Sequence, residues 1–329
     1  MLRLLGWFVG LTVVIVLSVG GVGTWGYSVF VQPGPGRTNT NIIIPKGAGI
    51  EQIANHLLDQ GLIPNALIFR LGAIALGREK ALRAGEFSIP PQASSKDILG
   101  ILRSGKTVVR RLTVAEGLTT AEVLSRLART EGLTGVVTSN PGEGRLLPET
   151  YHFSFGDSRN DIVRRMRSAM DKTVRDLWAK RKSDLPYRTM VEALVMASIV
   201  ERETGLAAER ARVAGVFVNR LNRSMRLQSD PTVIYGLADG LGSLGRSLTR
   251  KDLADPHPYN TYVHNGLPPG PIANPGRAAI EAALNPADTD AIYFVADGKG
   301  GHAFARTLKE HNRNVAAWRK LQRQKQQSR

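Results

Sequence analysis

Residues 191–205 read VEALVMASIVERETG. From Val191 to Val200 the stretch is apolar nearly all round a helical wheel, so the helix it predicts belongs inside a domain rather than on its surface. Gly205 is placed to stop that helix. Glu201 then lies in the last turn and follows Leu194 and Ala197 at helical spacing, so its side chain leaves the helix on an apolar face. Desolvation and the negative end of the helix dipole both disfavour a carboxylate there. The expectation is a carboxyl that holds its proton near neutral pH. The competing reading pairs Glu201 with Arg202, Arg220 or Arg226 in a structural network. Glu203, two residues on, faces Ile199 instead and is read as a solvating or capping group.

Working outward, the sequence predicts an α+β chain. On the N-terminal side of the buried helix, Ile162, Val163, Met166, Met170, Val174, Leu177 and Trp178 mark a long amphipathic helix, and Pro186 ends the turn between the two. A loop at 138–144 and the segment Leu146-Leu147-Pro148-Glu149-Thr150-Tyr151 precede it. Further upstream a strand-turn-helix pattern repeats. Ile42 to Ile44, Gly47 and a helix closed by Gly61 align with Leu112 to Val114, Gly117 and a helix ending near Gly132. A degenerate third copy runs from Phe87 to Ile89 through Pro90 and Pro91 to Gly105. With a helix at 67–76, the copies are expected to pack as one region over about 41–135. Downstream come a helix at 209–221, many short segments punctuated by Gly and Pro, a strand at 292–295 and a last helix at 308–322. The expected domains are 1–36 (anchor and stalk), 37–135 (the repeats), 136–322 (a mixed α/β domain) and 323–329 (a frayed basic tail).

No charged residue occurs from Leu4 through Gly36. The run Leu4 to Val31 is long enough to cross a bilayer as a helix, which takes roughly 20 apolar residues, and Trp7, Phe8, Trp25 and Tyr27 lie near its ends, where such rings favour the interface. It exceeds the length usual for a cleaved signal peptide. Charge does not set its orientation, because Arg3 on one side faces Arg37 and Lys46 on the other. Pro33 to Gly36 read as a stalk. The formal net charge of +16 draws the chain towards polyanions such as anionic lipid or acidic wall polymers, and no nucleic-acid motif accompanies it. The absence of cysteine excludes disulfides, thiolate metal sites and cysteine nucleophiles.

A protonated carboxyl in an apolar setting is what a general acid for glycosidic bond cleavage requires. Two later segments suit a sugar, whose ring faces are apolar and whose edges are hydroxyls. They are 226–235, RLQSDPTVIY, which reads as a polar loop around Pro231, and 259–272, with Tyr259, Asn260 and Tyr262 followed by a proline-rich wall. Gln228, Asp230, Thr232, Tyr259, Asn260 and Tyr262 are therefore the candidate sugar contacts. The six histidines show no metal-ligand spacing, and neither a nucleophile elbow nor a phosphate loop is present, so no cofactor or metal is expected.

At these residues the sequence resembles the endolytic murein transglycosylases of the MltG (YceG-like) family. The strongest segments are 197–204, with Glu201 at the position of the family's catalytic glutamate, 227–235, 259–262, 266–272, 293–302 and 310–315. The repeats look like that family's LysM-like region, which implies contact with peptidoglycan. The resemblance further implies a single anchor in the bacterial inner membrane, a periplasmic catalytic domain, and cleavage of nascent glycan strands between N-acetylmuramic acid and N-acetylglucosamine to leave 1,6-anhydro ends. Wall synthases or division proteins would be partners. One carboxyl can act first as acid and then as base, so no second carboxylate is obligatory. A hydrolytic muramidase would want one, with Asp230 or Glu149 as candidates. A wall-binding anchor without catalysis is the third class.

Overall fold

A computed structural model describes residues 2–77 and 82–327. The chain forms two compact units, the first of Met1–Arg110 and His152–Asp157, the second of Arg111–Tyr151 and Ser158–Arg329.

The first unit contains α1 (Leu2–Val31), β1 (Thr40–Ile44), α2 (Ile50–Asp59), α3 (Ala66–Ala75), β2 (Gly85–Ile89) and α4 (Ser95–Ser104). β1 and β2 pair antiparallel with Ile42 opposite Phe87. Ile42, Ile44, Phe87 and Ile89 turn into a core completed by Leu57 of α2, Phe69 of α3 and Ile98 and Leu102 of α4. Within α1, Gly10–Val31 is apolar and almost wholly exposed. At 1.5 Å per residue it measures roughly 33 Å, close to the thickness of a bilayer's hydrocarbon core. The end of this helix belongs to the unit, because Phe30 is buried in the core. The expected stalk is packed as well: Gly34 N–H donates to Gln92 O at 3.1 Å, and Gln92 N–H donates to Gly36 O at 2.7 Å.

The second unit begins within β3 (Arg110–Thr113) and contains α5 (Thr120–Arg129), the first two residues of β4 (Thr150–Phe153), α6 (Arg159–Trp178), α7 (Met190–Glu203), α8 (Ala207–Asn222), α9 (Asp230–Leu237), α10 (Arg250–Leu253), α11 (Arg277–Leu284), β5 (Tyr293–Ala296), β6 (His302–Ala305) and α12 (Leu308–Gln327). α7 is its central element, buried from Ala193 to Val200 and packed against α11, α8 and α6. Ala193 and Ala197 on α7 and Ala282 and Ala283 on α11 share one core cluster and, being small, let the two helices approach closely.

The strand-turn-helix repeat is real at the level of backbone. Ile44, Ile89 and Val114 are each followed three residues later by a left-handed turn residue, Gly47 (φ 82°), Gln92 (φ 57°) and Gly117 (φ 77°), and six residues later by a helix start. A left-handed φ is cheapest for glycine, and the copy at 87–105 takes it with a glutamine instead. Ser94 and Thr119 cap their helices through capping boxes with Asp97 and Glu122. The three copies do not share one unit, however. The copies that start at Ile42 and at Phe87 belong to the first unit, and the copy that starts at Leu112 belongs to the second.

Several local expectations change. Met190 and Val191, at the start of α7, are exposed. Thr204, in an extended conformation, terminates that helix in place of Gly205. The 226–235 loop is a helix from Asp230 on, because Pro231 sits in its first turn, where a missing N–H costs nothing. α12 runs to Gln327, beyond the expected frayed end, and Lys325 Nζ ties it to Gly298 O at 3.0 Å; Ser328 and Arg329 lie outside the described residues.

Candidate active site

Glu201 leaves the last turn of α7 with only 6% of its side chain exposed. Its Oε2 accepts the Gly276 N–H at 2.9 Å. Gly276 is the N-cap of α11, so the carboxyl lies between the C-terminal end of one helix and the N-terminal end of another. Arg210 of α8 stands 3.9 Å away, itself buried, and its Nε has no hydrogen-bond partner among the described residues. Burial is the largest influence and holds the Glu201 carboxyl above the usual carboxylate range. The negative charge of Glu116 acts in the same sense, while the Gly276 N–H, Arg210 and Arg202 oppose it. A carboxyl that holds its proton more tightly than usual is suited to act as a general acid. None of the arginines expected as a structural partner pairs with it. Arg202 donates to Gly117 O at 3.0 Å, Arg220 to the carbonyls of Leu227 and Ile292, and Arg226 to Tyr262 O.

Two backbone segments frame Glu201. Ser198, one helical turn before it and fully buried, accepts the Ile272 N–H at 3.0 Å and so fixes the start of the 272–276 loop. Asn274, also fully buried, bonds that loop to the turn after β3. Gly117 N–H donates to Asn274 O at 3.0 Å, Asn274 N–H to Leu118 O at 2.8 Å, and Leu146 N–H to Asn274 Oδ1 at 2.9 Å. The turn carries Glu116, whose carboxylate lies over the Cα of Gly276. A Cβ at Gly276 would fall 1.7 Å from Glu116 Oε1. The carboxylate that neighbours Glu201 is therefore Glu116, which the sequence reading missed because 85 positions separate the two. Glu143 was missed as well. It accepts from Thr120 N at 2.9 Å, Thr120 Oγ1, Gly144 N and the Tyr235 hydroxyl, and burial raises its pKa.

Glu203 is not the solvating or capping group expected. It turns into a polar cluster and accepts the Ser229 hydroxyl. Burial, with Asp230 adding to it, pushes its carboxyl up to about 7 against the pull of Ser229, His302 and Arg220. Asp230 is exposed and accepts the Tyr262 hydroxyl at 2.6 Å, so these two expected sugar contacts gather around Glu203 rather than Glu201. Gln228 is exposed with a left-handed φ of 49°. Tyr259 is partly buried, its ring centroid 4.9 Å from that of Tyr235. Thr232 and Asn260 do not present polar groups to a ligand. Thr232 is buried and donates to Ser229 O, and Asn260 Nδ2 is spent on the carbonyls of Asp252, Leu253 and Asp255. Both brace the loops that carry their neighbours. Glu149 is exposed and contributes its backbone carbonyl to Val114 N–H.

A sequence model described as the YceG-like family matches residues 42–317. A protein of Bacillus subtilis named endolytic murein transglycosylase is 32% identical over 90% of this chain and 90% of its own length. A protein of the same name from Streptococcus pneumoniae is 30% identical over 83% of this chain, which spans 57% of that longer relative. Among solved structures, a YceG-like protein of Listeria monocytogenes superposes with a TM-score of 0.54 at 33% identity, covering 84% of this chain and 98% of that one. A family match across most of the chain, with relatives alike in sequence and in fold, makes this chain a member of the YceG-like family.

Proposed function

We propose that this protein is a membrane-anchored lytic transglycosylase that cuts peptidoglycan glycan strands internally, with Glu201 as its catalytic acid and base. The observation that carries the reading is the Glu201 carboxyl itself: nearly enclosed, raised in pKa, and held by the Gly276 N–H. Its proton goes to the glycosidic oxygen as the bond to the muramic C1 breaks. The carboxylate left behind is stabilised by Arg210 and Gly276 N–H, and then takes the proton of the same sugar's 6-hydroxyl as that oxygen closes on C1. The product is a 1,6-anhydro end, and no water is consumed. Gln228, Asp230, Tyr259 and Tyr262 are proposed to contact the strand. The relatives' names, which specify murein, support the substrate class.

The anchor is α1, and the catalytic unit faces the outer side of the cytoplasmic membrane, where murein lies. The first unit, whose β1 and β2 pair around α2 and α3, is the LysM-like module. Its groove along β1 and α2, about 720 Å³ and edged by Asn41, Lys46, Gln52 and His56, is of a size to take a glycan. Wall synthases are proposed as partners. Glu116 is the specific observation in favour of water attack, since it would supply a hydrolase's second carboxylate. The deciding experiment incubates the full chain in detergent, wild type and Glu201→Gln, with uncross-linked glycan strands and identifies product ends by mass spectrometry. Anhydro ends from wild type alone are expected. Reducing ends would establish the hydrolase, and undiminished cutting by Glu201→Gln would remove Glu201 from the chemistry.

A further inference from the structure

The helix α3 is apolar on two faces. Phe69 and Ala73 fill the core of the first unit, whereas Leu67, Leu71 and Ile74, spaced as one helical stripe, stand 57%, 56% and 52% exposed. Its one charged side chain, Arg70, is drawn to Glu51 of α2 at 3.1 Å. Large aliphatic groups in a contiguous stripe mark a contact surface rather than scattered surface residues.

The neighbour of α3 indicates what covers that stripe. α3 packs against the last turns of α1, where the Phe30 ring lies so close to Gly72 that a Cβ there would stand 2.5 Å from it. Gly23, Gly26 and Phe30 on one side and Leu67, Leu71 and Ala75 on the other line a cleft of about 480 Å³. Trp25 and Tyr27, both exposed, mark the same level of α1 as a water–lipid boundary. The exposed surface of the span thus continues onto α3.

We propose that α3 is an interfacial membrane helix, with Leu67, Leu71 and Ile74 inserted among the acyl chains of the leaflet from which α1 emerges and a phospholipid chain in the cleft. This rests on the reading of α1 as a membrane span. The first unit then sits on the bilayer surface instead of hanging from a tether, which agrees with the packed Pro33–Gly36 segment. Amphipathic elements with a buried apolar face bind in this way, a few ångströms into the headgroup boundary.

The chain lacks cysteine, so single-cysteine variants of the full chain can be labelled cleanly. Val16→Cys, Leu71→Cys, Ile74→Cys and, as a water-facing control, Lys46→Cys would carry an environment-sensitive fluorophore in phosphatidylcholine–phosphatidylglycerol vesicles, with and without acyl-chain spin-labelled quencher lipid. The expected result is strong quenching at Val16, Leu71 and Ile74 and none at Lys46. Quenching at Val16 but not at Leu71 or Ile74 overturns the inference while leaving the anchor intact. Absence of quenching at Val16 overturns the anchor reading and the inference with it. Blue-shifted but unquenched emission at Leu71 that depends on protein density would show a second protein copy on the stripe, which also refutes it.

Discussion

Ser198→Ala isolates the connection between the buried helix and the loop that supplies Gly276. Ser198 Oγ donates to Val195 O at 2.7 Å and accepts the Ile272 N–H at 3.0 Å, with both Ser198 and Ile272 buried. Alanine changes the packing by a single oxygen, so the loss falls on the Ile272 N–H, left without an acceptor and without water. An orphaned buried donor costs about 1–3 kcal/mol. For a unit of this size each kcal/mol is worth about 2–4 °C, so thermal unfolding should begin about 2–12 °C lower. Ile272 starts the segment that carries Asn274 and Gly276, so strand cleavage should fall as well, at temperatures where the variant is still folded. Circular dichroism melts and product quantification on the same preparations measure both effects. A melting curve and a cleavage rate indistinguishable from wild type would refute the claim that this hydroxyl positions the loop.

Glu116→Gln removes the like charge beside Glu201, so the pKa of the acid should fall and the alkaline limb of the cleavage profile should move to lower pH; Arg210→Met should move it the opposite way. Limbs that stay put would exclude electrostatic coupling at either position. Glu203 has its pKa raised from 4.5 to about 7, so its contribution to stability is present below about 4.5 and is lost as pH rises through about 7. Glu203→Gln should therefore unfold later than wild type at pH 8, by on the order of 3 kcal/mol, with the advantage vanishing near pH 4. Denaturant titrations at the two pH values test it, and an equal difference at both would contradict it. Gly72→Leu should force α3 off Phe30 and destabilise the first unit by about 1–3 kcal/mol through overpacking. Unfolding at an unchanged denaturant midpoint would show that the two helices are not in tight contact.

The site was legible wherever one helix carried the information. The apolar face of 193–200 and the position of Glu201 at its end follow from periodicity, and the raised pKa follows from burial. Glu203 misled because periodicity gives the direction in which a side chain leaves a helix but not what other elements bring to that face; Ser229, His302 and Arg220 arrive from elsewhere. The 226–235 stretch misled because proline marks a loop and the first turn of a helix equally well.

The sequence by itself determined the apolar span, the three strand-turn-helix copies with their turn residues at equal spacing, the buried central helix and its terminal acid. These are local patterns, set by hydrophobic period and by the few residues that tolerate a left-handed backbone. Only the tertiary structure decided that the copy starting at Leu112 joins the second unit, that Glu116 and Gly276 meet at Glu201, that Asn274 bonds two distant loops, and that Asn260 and Thr232 are buried with their polar groups bonded inside the protein. Each of those depends on contacts between residues far apart in the chain, and these are fixed by how buried faces pack rather than by any repeat in the sequence.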